Sequence, residues 1–205
     1  MGSHDNKIYL YAVDKGYKLR AKFTGHNSFI THLDFSADSQ FLQSNCGAYE
    51  LLFSDVLTGN QIKSASDLRD TEWYTNTCVL GWGIQGIWGP GMDGSDINSC
   101  VRSTAGNVVV TTADDGKLRL YNWPCVDKKE AQFEVGSGHS SHVANSCWTC
   151  YDEFLVTTGG GDRCIFVWKH EVECEGEVER VEVSTRLRIG DLRISRFSNL
   201  SLRSS

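Results

Sequence analysis

The sequence predicts an all-β chain built from repeated four-stranded units, and three observations predict it. The first is composition. Among 205 residues there are 20 Gly, only 2 Pro, and 11% aromatic residues including 6 Trp. That mixture suits many short strands joined by tight turns. The second is a recurring strand pattern. Asp5-Asn6-Lys7-Ile8-Tyr9-Leu10-Tyr11, Asp115-Gly116-Lys117-Leu118-Arg119-Leu120-Tyr121 and Asp162-Arg163-Cys164-Ile165-Phe166-Val167-Trp168 each read as Asp, two turn residues and an alternating strand ending in an aromatic. A weaker copy begins at Ala48. The anchors at 5, 48, 115 and 162 lie 43, 67 and 47 residues apart. The third is a Gly-His dipeptide, Gly25-His26 and Gly138-His139, placed 22 and 23 residues before the anchors at 48 and 162.

A repeat of roughly 40–45 residues with Gly-His ahead of a strand-ending Trp is the signature of WD40-type β-propeller blades. Its physical content is a buried relay in which His, Ser or Thr, Asp and Trp satisfy one another, because each alone would be costly to bury. In the last blade the expected set is His139, Thr158, Asp162 and Trp168. In the earlier blade it is His26 and Ser44, with Ala48 and Ser54 where Asp and Trp would stand.

The elements follow in order. Residues 1–24 are expected to be the end of a preceding blade and a linker. Residues 25–63 form a blade with strands near 29–35, 40–45, 49–55 and 60–63. The long middle spacing marks an insertion at 64–95. Residues 96–137 form a blade without Gly-His, with strands near 97–102, 107–112, 117–122 and 132–135. Residues 138–170 supply three strands of a last blade. Residues 171–205 are expected to be an irregular, mobile charged tail. The total is about three and a half blades, whereas closed propellers have 4–8. An open or partial propeller leaves sheet edges exposed, so the remaining blades are expected in a longer parent chain, of which this is a fragment or short form.

Charge and cysteine content exclude several classes. The formal net charge is −6, which is not a nucleic-acid-binding balance. No apolar run reaches the ~18 residues of a membrane span. The N-terminus has no apolar signal-peptide core, so the 8 Cys read as reduced thiols of a cytoplasmic protein.

Several stretches resemble one family. They are Gly25-His26-Asn27-Ser28-Phe29-Ile30-Thr31-His32-Leu33-Asp34, Asp70-Thr71-Glu72-Trp73, Thr77-Cys78-Val79-Leu80-Gly81, Gly86-Ile87-Trp88, Asp93-Gly94-Ser95-Asp96-Ile97-Asn98, Tyr121 through Pro124-Cys125, and Gly138-His139-Ser140-Ser141-His142-Val143. In order and spacing they resemble the last blades of the second, atypical propeller of the echinoderm microtubule-associated protein-like family, over roughly residues 3–170. The inserted segment is not a general WD40 feature. The resemblance implies a non-enzymatic, microtubule-associated protein of the cytoplasm and cytoskeleton, with propellers that contact tubulin. This chain departs from the family pattern at Ala48, at Ser54 and at Gly89-Pro90-Gly91.

Other chemistry is weighed against plainer readings. His139, His142, Cys147 and Cys150 have zinc-ligand spacing on paper, but the relay claims His139, and strand alternation sends Cys147 and Cys150 to opposite faces. Cys147, Cys150 or Cys164 as a nucleophile lacks any local sign of an activated thiolate. Asp93-Gly94-Ser95-Asp96 lacks the spacing and distal Glu of a calcium loop and reads as a turn. Gly159-Gly160-Gly161 precedes a strand rather than a helix, against a phosphate loop. No cofactor or metal is expected. Trp73, Tyr74, Trp82 and Trp88, with Ile84 and Ile87, make the insertion dense in apolar side chains, either to pack it down or to contact a partner. In the tail, residues 171–182 carry a net −5 and residues 183–205 a net +4 from Arg186, Arg188, Arg193, Arg196 and Arg203 against Asp191. Besides a mobile tail, the segment reads as a strand for an open blade or a basic contact to an acidic surface. Three function classes stand: tubulin or microtubule binding, a WD40 scaffold for another protein, and, remotely, a zinc- or Cys-dependent enzyme.

Overall fold

Each copy of the repeat folds as an antiparallel sheet. The computed structural model describes residues 1–90, 92, 96–129, 131–175 and 182–189, with 172–175 and 182–189 described by backbone alone. β1 (Lys7–Ala12) and β2 (Lys18–Thr24) form a hairpin. β3 (Ile30–Phe35), β4 (Phe41–Cys46), β5 (Leu51–Asp55) and β6 (Gln61–Ile62) form one four-stranded sheet in sequence order. β7 (Ile97–Arg102), β8 (Val108–Ala113), β9 (Lys117–Asn122) and β10 (Phe133–Ser137) form a second. β11 (Val143–Trp148), β12 (Phe154–Gly159), β13 (Ile165–Glu175) and β14 (Glu182–Ile189) form a third. The chain is thus all-β propeller blades, with short 3-10 turns at Ala65–Leu68 and Trp82–Ile87.

The chain divides into two compact units, Met1–Gln85 and Gly86–Ser205. The division falls inside the expected 64–95 insertion rather than at its edge. In the first unit Ile8, Phe23, Leu42 and Val56 form one cluster, and Phe53, Leu68 and Trp73 another. In the second, Val108, Val110, Leu118, Leu120, Val143, Trp148, Leu155, Phe166 and Trp168 form the core. All six residues of β8 are buried, so its Val-Val-Val-Thr-Thr-Ala run shows no apolar-polar alternation.

The first strand of every four-stranded sheet carries a bulge at the same place. The register shifts between Ile30 and His32, between Ile97 and Ser99, and between Val143 and Asn145. Each bulge inserts one unpaired residue and bends the strand. In the second unit the extra residue Asn98 donates its amide to the Val143 carbonyl at 3.2 Å. The same two strands are joined by Ser99 Oγ to Ser146 Oγ at 2.8 Å and by Trp148 Nε1 to the Val101 carbonyl at 3.2 Å. Asp152 completes the seam by accepting the Thr104 and Ala105 amides at 2.8 and 2.7 Å.

Two expectations are corrected. Residues 18–24 are strand β2 rather than linker; the alternating Lys-Leu-Arg-Ala-Lys run hides among charges because the hairpin lies largely exposed. The stretches 171–175 and 182–189 are strand, the second reading given for this segment, rather than mobile tail. β14 pairs with β13 from Trp168↔Ile189 to Glu175↔Glu182 and covers an edge that three strands alone would leave open. Deleting residues 176–205 uncovers the β13 edge and is therefore expected to increase self-association relative to the 205-residue chain, read by analytical ultracentrifugation.

Candidate functional site

The insertion is held to the first four-stranded sheet by one carboxylate. Asp34 sits on β3 and is 1% exposed. Its oxygens accept Thr75 Oγ1 at 2.6 Å, Thr77 Oγ1 at 2.9 Å, the Thr77 amide at 2.9 and 3.0 Å, the Cys78 amide at 2.9 Å and Gln43 Nε2 at 3.1 Å. Burial pushes the Asp34 carboxyl up, but the donors from Thr75, Cys78 and Thr77 outweigh it, and the net shift is downward. Asn45 on β4 adds a second clamp, accepting the Leu80 amide at 2.9 Å and donating to the Leu80 carbonyl at 3.3 Å. Backbone pairing extends the attachment. The Ala37 amide meets the Glu72 carbonyl, and the Tyr74 amide meets the Phe35 carbonyl, both at 2.8 Å.

This arrangement sorts the aromatic residues of the insertion. Trp73 is 8% exposed and stacks on Phe53 with centroids 5.9 Å apart. It is a packing residue, in line with the plainer of the two readings given for these aromatics. Trp82 is half-buried, donates Nε1 to the Ala65 carbonyl at 3.3 Å, and has the Arg69 guanidinium 5.9 Å from its ring. Trp88 is also half-buried, and Ile84 and Ile87 are buried. Tyr74, next in chain to the buried Trp73, is 77% exposed. A surface missed by sequence reasoning lies on β2, where Lys18, Arg20 and Lys22 are all exposed. The register shift between Leu10 and Tyr11 leaves Arg20 as an unpaired bulge residue, so Lys18 and Lys22 fall on opposite faces of the strand and the three cations flank it on both sides. Tyr17 and Leu19 beside them are also exposed.

The relay of the last blade is complete, with one residue corrected. His139 Nδ1 meets Asp162 Oδ2 at 2.7 Å, and Nε2 meets Thr157 Oγ1 at 2.9 Å. Trp168 Nε1 donates to the same Thr157 oxygen at 2.9 Å. The hydroxyl is thus that of Thr157, not Thr158. A consistent separation was the available signal, since Ser44 follows His26 and Thr157 follows His139 by the same 18 residues. The carboxylate sets the direction of the chain: Trp168 N–H to Thr157, Thr157 O–H to His139 Nε2, and His139 Nδ1–H to Asp162. Burial acts to raise the Asp162 carboxyl, and bonds from the Cys164 amide and His139 reverse it, leaving it below its ordinary value. Gly159 is needed here, because a Cβ would collide with Asp162 and lie 2.6 Å from His139 Nδ1. The Gly159-Gly160-Gly161 run therefore serves close packing.

The earlier blade keeps His26 Nε2 on Ser44 Oγ at 2.7 Å. Ser54 at the Trp position is buried. The acid is supplied by Glu50, which the sequence reading missed: its Oε2 lies 3.4 Å from His26 Nδ1 and accepts the Asn27 amide at 2.9 Å. Bonds from the Asn27 amide, the Asn27 side chain and Cys46 lower the Glu50 carboxyl to about 2.

The zinc-spaced run does not converge among the described residues. His139 is committed to the relay, and Cys147 and Cys150 are exposed. Burial pushes the Cys125 thiol up to about 11, the reverse of an activated nucleophile. In the tail, the register sets Arg186 opposite Glu171 and Arg188 opposite Lys169. Arg193, Arg196 and the Asp93-Gly94-Ser95 turn lie outside the described residues.

Residues 1–170 match the family model described as the echinoderm microtubule-associated protein second beta-propeller. The chain belongs to that family. It is 45% identical over 172 residues to rat echinoderm microtubule-associated protein-like 2, covering 82% of this chain and 26% of the relative. It is 44% identical over 173 residues to human echinoderm microtubule-associated protein-like 4, covering 82% of this chain and 18% of the relative. The mouse echinoderm microtubule-associated protein-like 1 is 45% identical over 172 residues, with 82% and 21% coverage. The chain therefore spans about a quarter or less of the length of these curated relatives. The family match ends at 170, before β14 begins at Glu182.

Two stability outcomes follow from the buried polar groups. Thr157→Ala is expected to cost about 1–3 kcal/mol, because it strands the Trp168 and His139 nitrogens, while Thr158→Ala costs under about 1 kcal/mol. Urea unfolding of the two variants separates them. Asp34→Asn is expected to cost about 2–4 kcal/mol at neutral pH, because its amide faces backbone donors. The folded Asp34 carboxyl lies below its unfolded value of about 3.9, so its contribution is complete above that pH and fades as pH falls through the folded value. The stability gap between the native chain and Asp34→Asn should accordingly narrow below about pH 4 in acid titrations.

Proposed function

We propose that this chain is a non-enzymatic contact module for tubulin or microtubules, acting in the cytoplasm on the cytoskeleton. The observation that carries the reading is the insertion. The sheet clamps it through Asp34 and Asn45, buries Trp73 and leaves Tyr74 exposed at its margin. A rigidly held exposed tyrosine is a low-entropy anchor for a protein partner. The microtubule-associated names of the relatives support the choice of partner.

Electrostatics gives this reading a local rather than a global basis. Residues 1–170 are net acidic, so long-range attraction to an acidic partner is not expected of the body as a whole. The exposed basic residues Lys18, Arg20 and Lys22 of β2 are the exception, and they suit acidic surfaces such as those of tubulin. Contacts of this kind weaken over a Debye length of about 8 Å at physiological salt.

A scaffold role toward a different protein is the second reading. It is favoured by the exposed apolar residues Val13, Tyr17 and Leu19 of the hairpin, which are not tied to any charge match.

Co-pelleting of the 205-residue chain with microtubules tests these readings. Retention at physiological salt is expected. Tyr74→Ala is expected to weaken it at least about fivefold, the size of a 1 kcal/mol contact, with an unchanged melting temperature. Reversing Lys18, Arg20 and Lys22 to Glu should remove the salt-sensitive part. Binding at low salt only would assign the contact to screened basic faces, and no binding from folded protein would favour the scaffold reading.

A further inference from the structure

His26 and His139 occupy equivalent relay positions but face opposite chemistry. For His139, Nδ1 carries the proton toward Asp162. At His26, Ser44 Oγ lies 2.7 Å from Nε2 and also reaches the Leu52 carbonyl at 3.4 Å. Ser44 can pass its own proton to the Leu52 carbonyl, which lets Nε2 of His26 act as the donor and frees the Nδ1 lone pair for an ion. That Nδ1 is buried without a hydrogen bond, on a side chain 4% exposed. It is aimed at two further groups that also offer lone pairs. Glu50 Oε2 lies 3.4 Å from it, and Cys46 Sγ lies 3.2 Å from the same oxygen. All three ligand atoms fall within 4.8 Å of one another.

We propose that His26 Nδ1, Cys46 Sγ and Glu50 Oε2 form a three-ligand site for zinc or a similar borderline-soft divalent ion, with a fourth position for solvent or another ligand. The spacing fits. Bonds of 2.0–2.3 Å in a tetrahedron place ligand atoms about 3.3–3.6 Å apart; the two edges to Glu50 Oε2 are 3.4 and 3.2 Å, and the remaining edge, within 4.8 Å, closes by side-chain rotation as the ion enters. The donor set fits as well, since imidazole, thiolate and carboxylate together are zinc ligands. Ser44 acts as the outer partner that fixes the imidazole tautomer, as metal-bound histidines require. The charges balance. One divalent ion replaces the thiol proton, which leaves to solvent, and the resulting thiolate and the carboxylate neutralise the ion. Glu50, with 27% of its side chain exposed, gives the ion a way in.

The residues needed lie between positions 26 and 50, away from the zinc-spaced run at 139–150. No motif spacing announces them, because strand pairing and the β4–β5 turn bring them together.

Titration of the reduced, metal-free 205-residue chain with cobalt(II) tests the site. One equivalent should produce tetrahedral visible bands and a thiolate-to-metal charge-transfer band in the near ultraviolet, with release of one proton, and zinc should displace both bands. Cys46→Ser should abolish the charge-transfer band. Glu50→Gln, at a partly exposed side chain, should fold and weaken binding at least about tenfold. Replacing Cys147 and Cys150 together by Ser should change nothing. The proposal is overturned if the stoichiometric spectrum is absent, if the band survives in Cys46→Ser, or if it disappears in the Cys147/Cys150 variant. A folded Glu50→Gln chain that binds cobalt with native affinity would also overturn it.

Discussion

A buried carboxylate remains ionised only when donors surround it, and in this chain that requirement decides where loops go. Asp34 shows it most fully. Its donors come from the insertion and from β4, and together they fix where residues 75–78 run. Residues 75–80 of the insertion are consequently a fixed part of the first unit. Asp152 and Asp162 follow the same rule in the second unit, one pinning the Thr104–Ala105 turn and the other the approach to β11.

The same requirement explains a stretch that looks misplaced in a strand. β4 reads Phe-Leu-Gln-Ser-Asn-Cys, with three consecutive buried polar residues. Strand alternation separates them. Gln43 donates to Asp34 and Asn45 clamps Leu80 of the insertion on one side, and Ser44 serves His26 on the other. Without both partners these side chains would be unpaired polar groups in a core. The insertion and the relay are thus coupled through a single strand, and the surface that Tyr74 presents depends on the packing of Trp73 against Phe53.

The two histidines show how one scaffold holds two chemistries. His139 stands in a closed directional chain with an acid at its end, so its lone pair and proton are both spent. At His26 the matching Asp and Trp are absent, and a longer acid arrives from Glu50, already engaged by Asn27. The imidazole keeps Nε2 on Ser44 and sets Nδ1 beside a thiol and a carboxylate. A degraded relay has become a cluster of ligating atoms.

Much of this was legible in the sequence. The repeat anchors at Asp5, Asp115 and Asp162, with the two Gly-His dipeptides, determined an all-β propeller-blade fold, because a turn acid and a strand-ending aromatic at a fixed period have few other uses. Hydrophobic alternation located most strands within one or two residues. Tertiary structure alone decided the rest. Strand register selected Thr157 over Thr158, since adjacent residues point to opposite faces. Burial separated Trp73 from Tyr74, neighbours with the same composition signal. Pairing with an open edge made 182–189 a strand, where charge composition alone read as a tail. Glu50 reached His26 through the folding of a hairpin, because contacts between residues 24 positions apart are set by strand pairing and turn geometry, which spacing in the chain does not record.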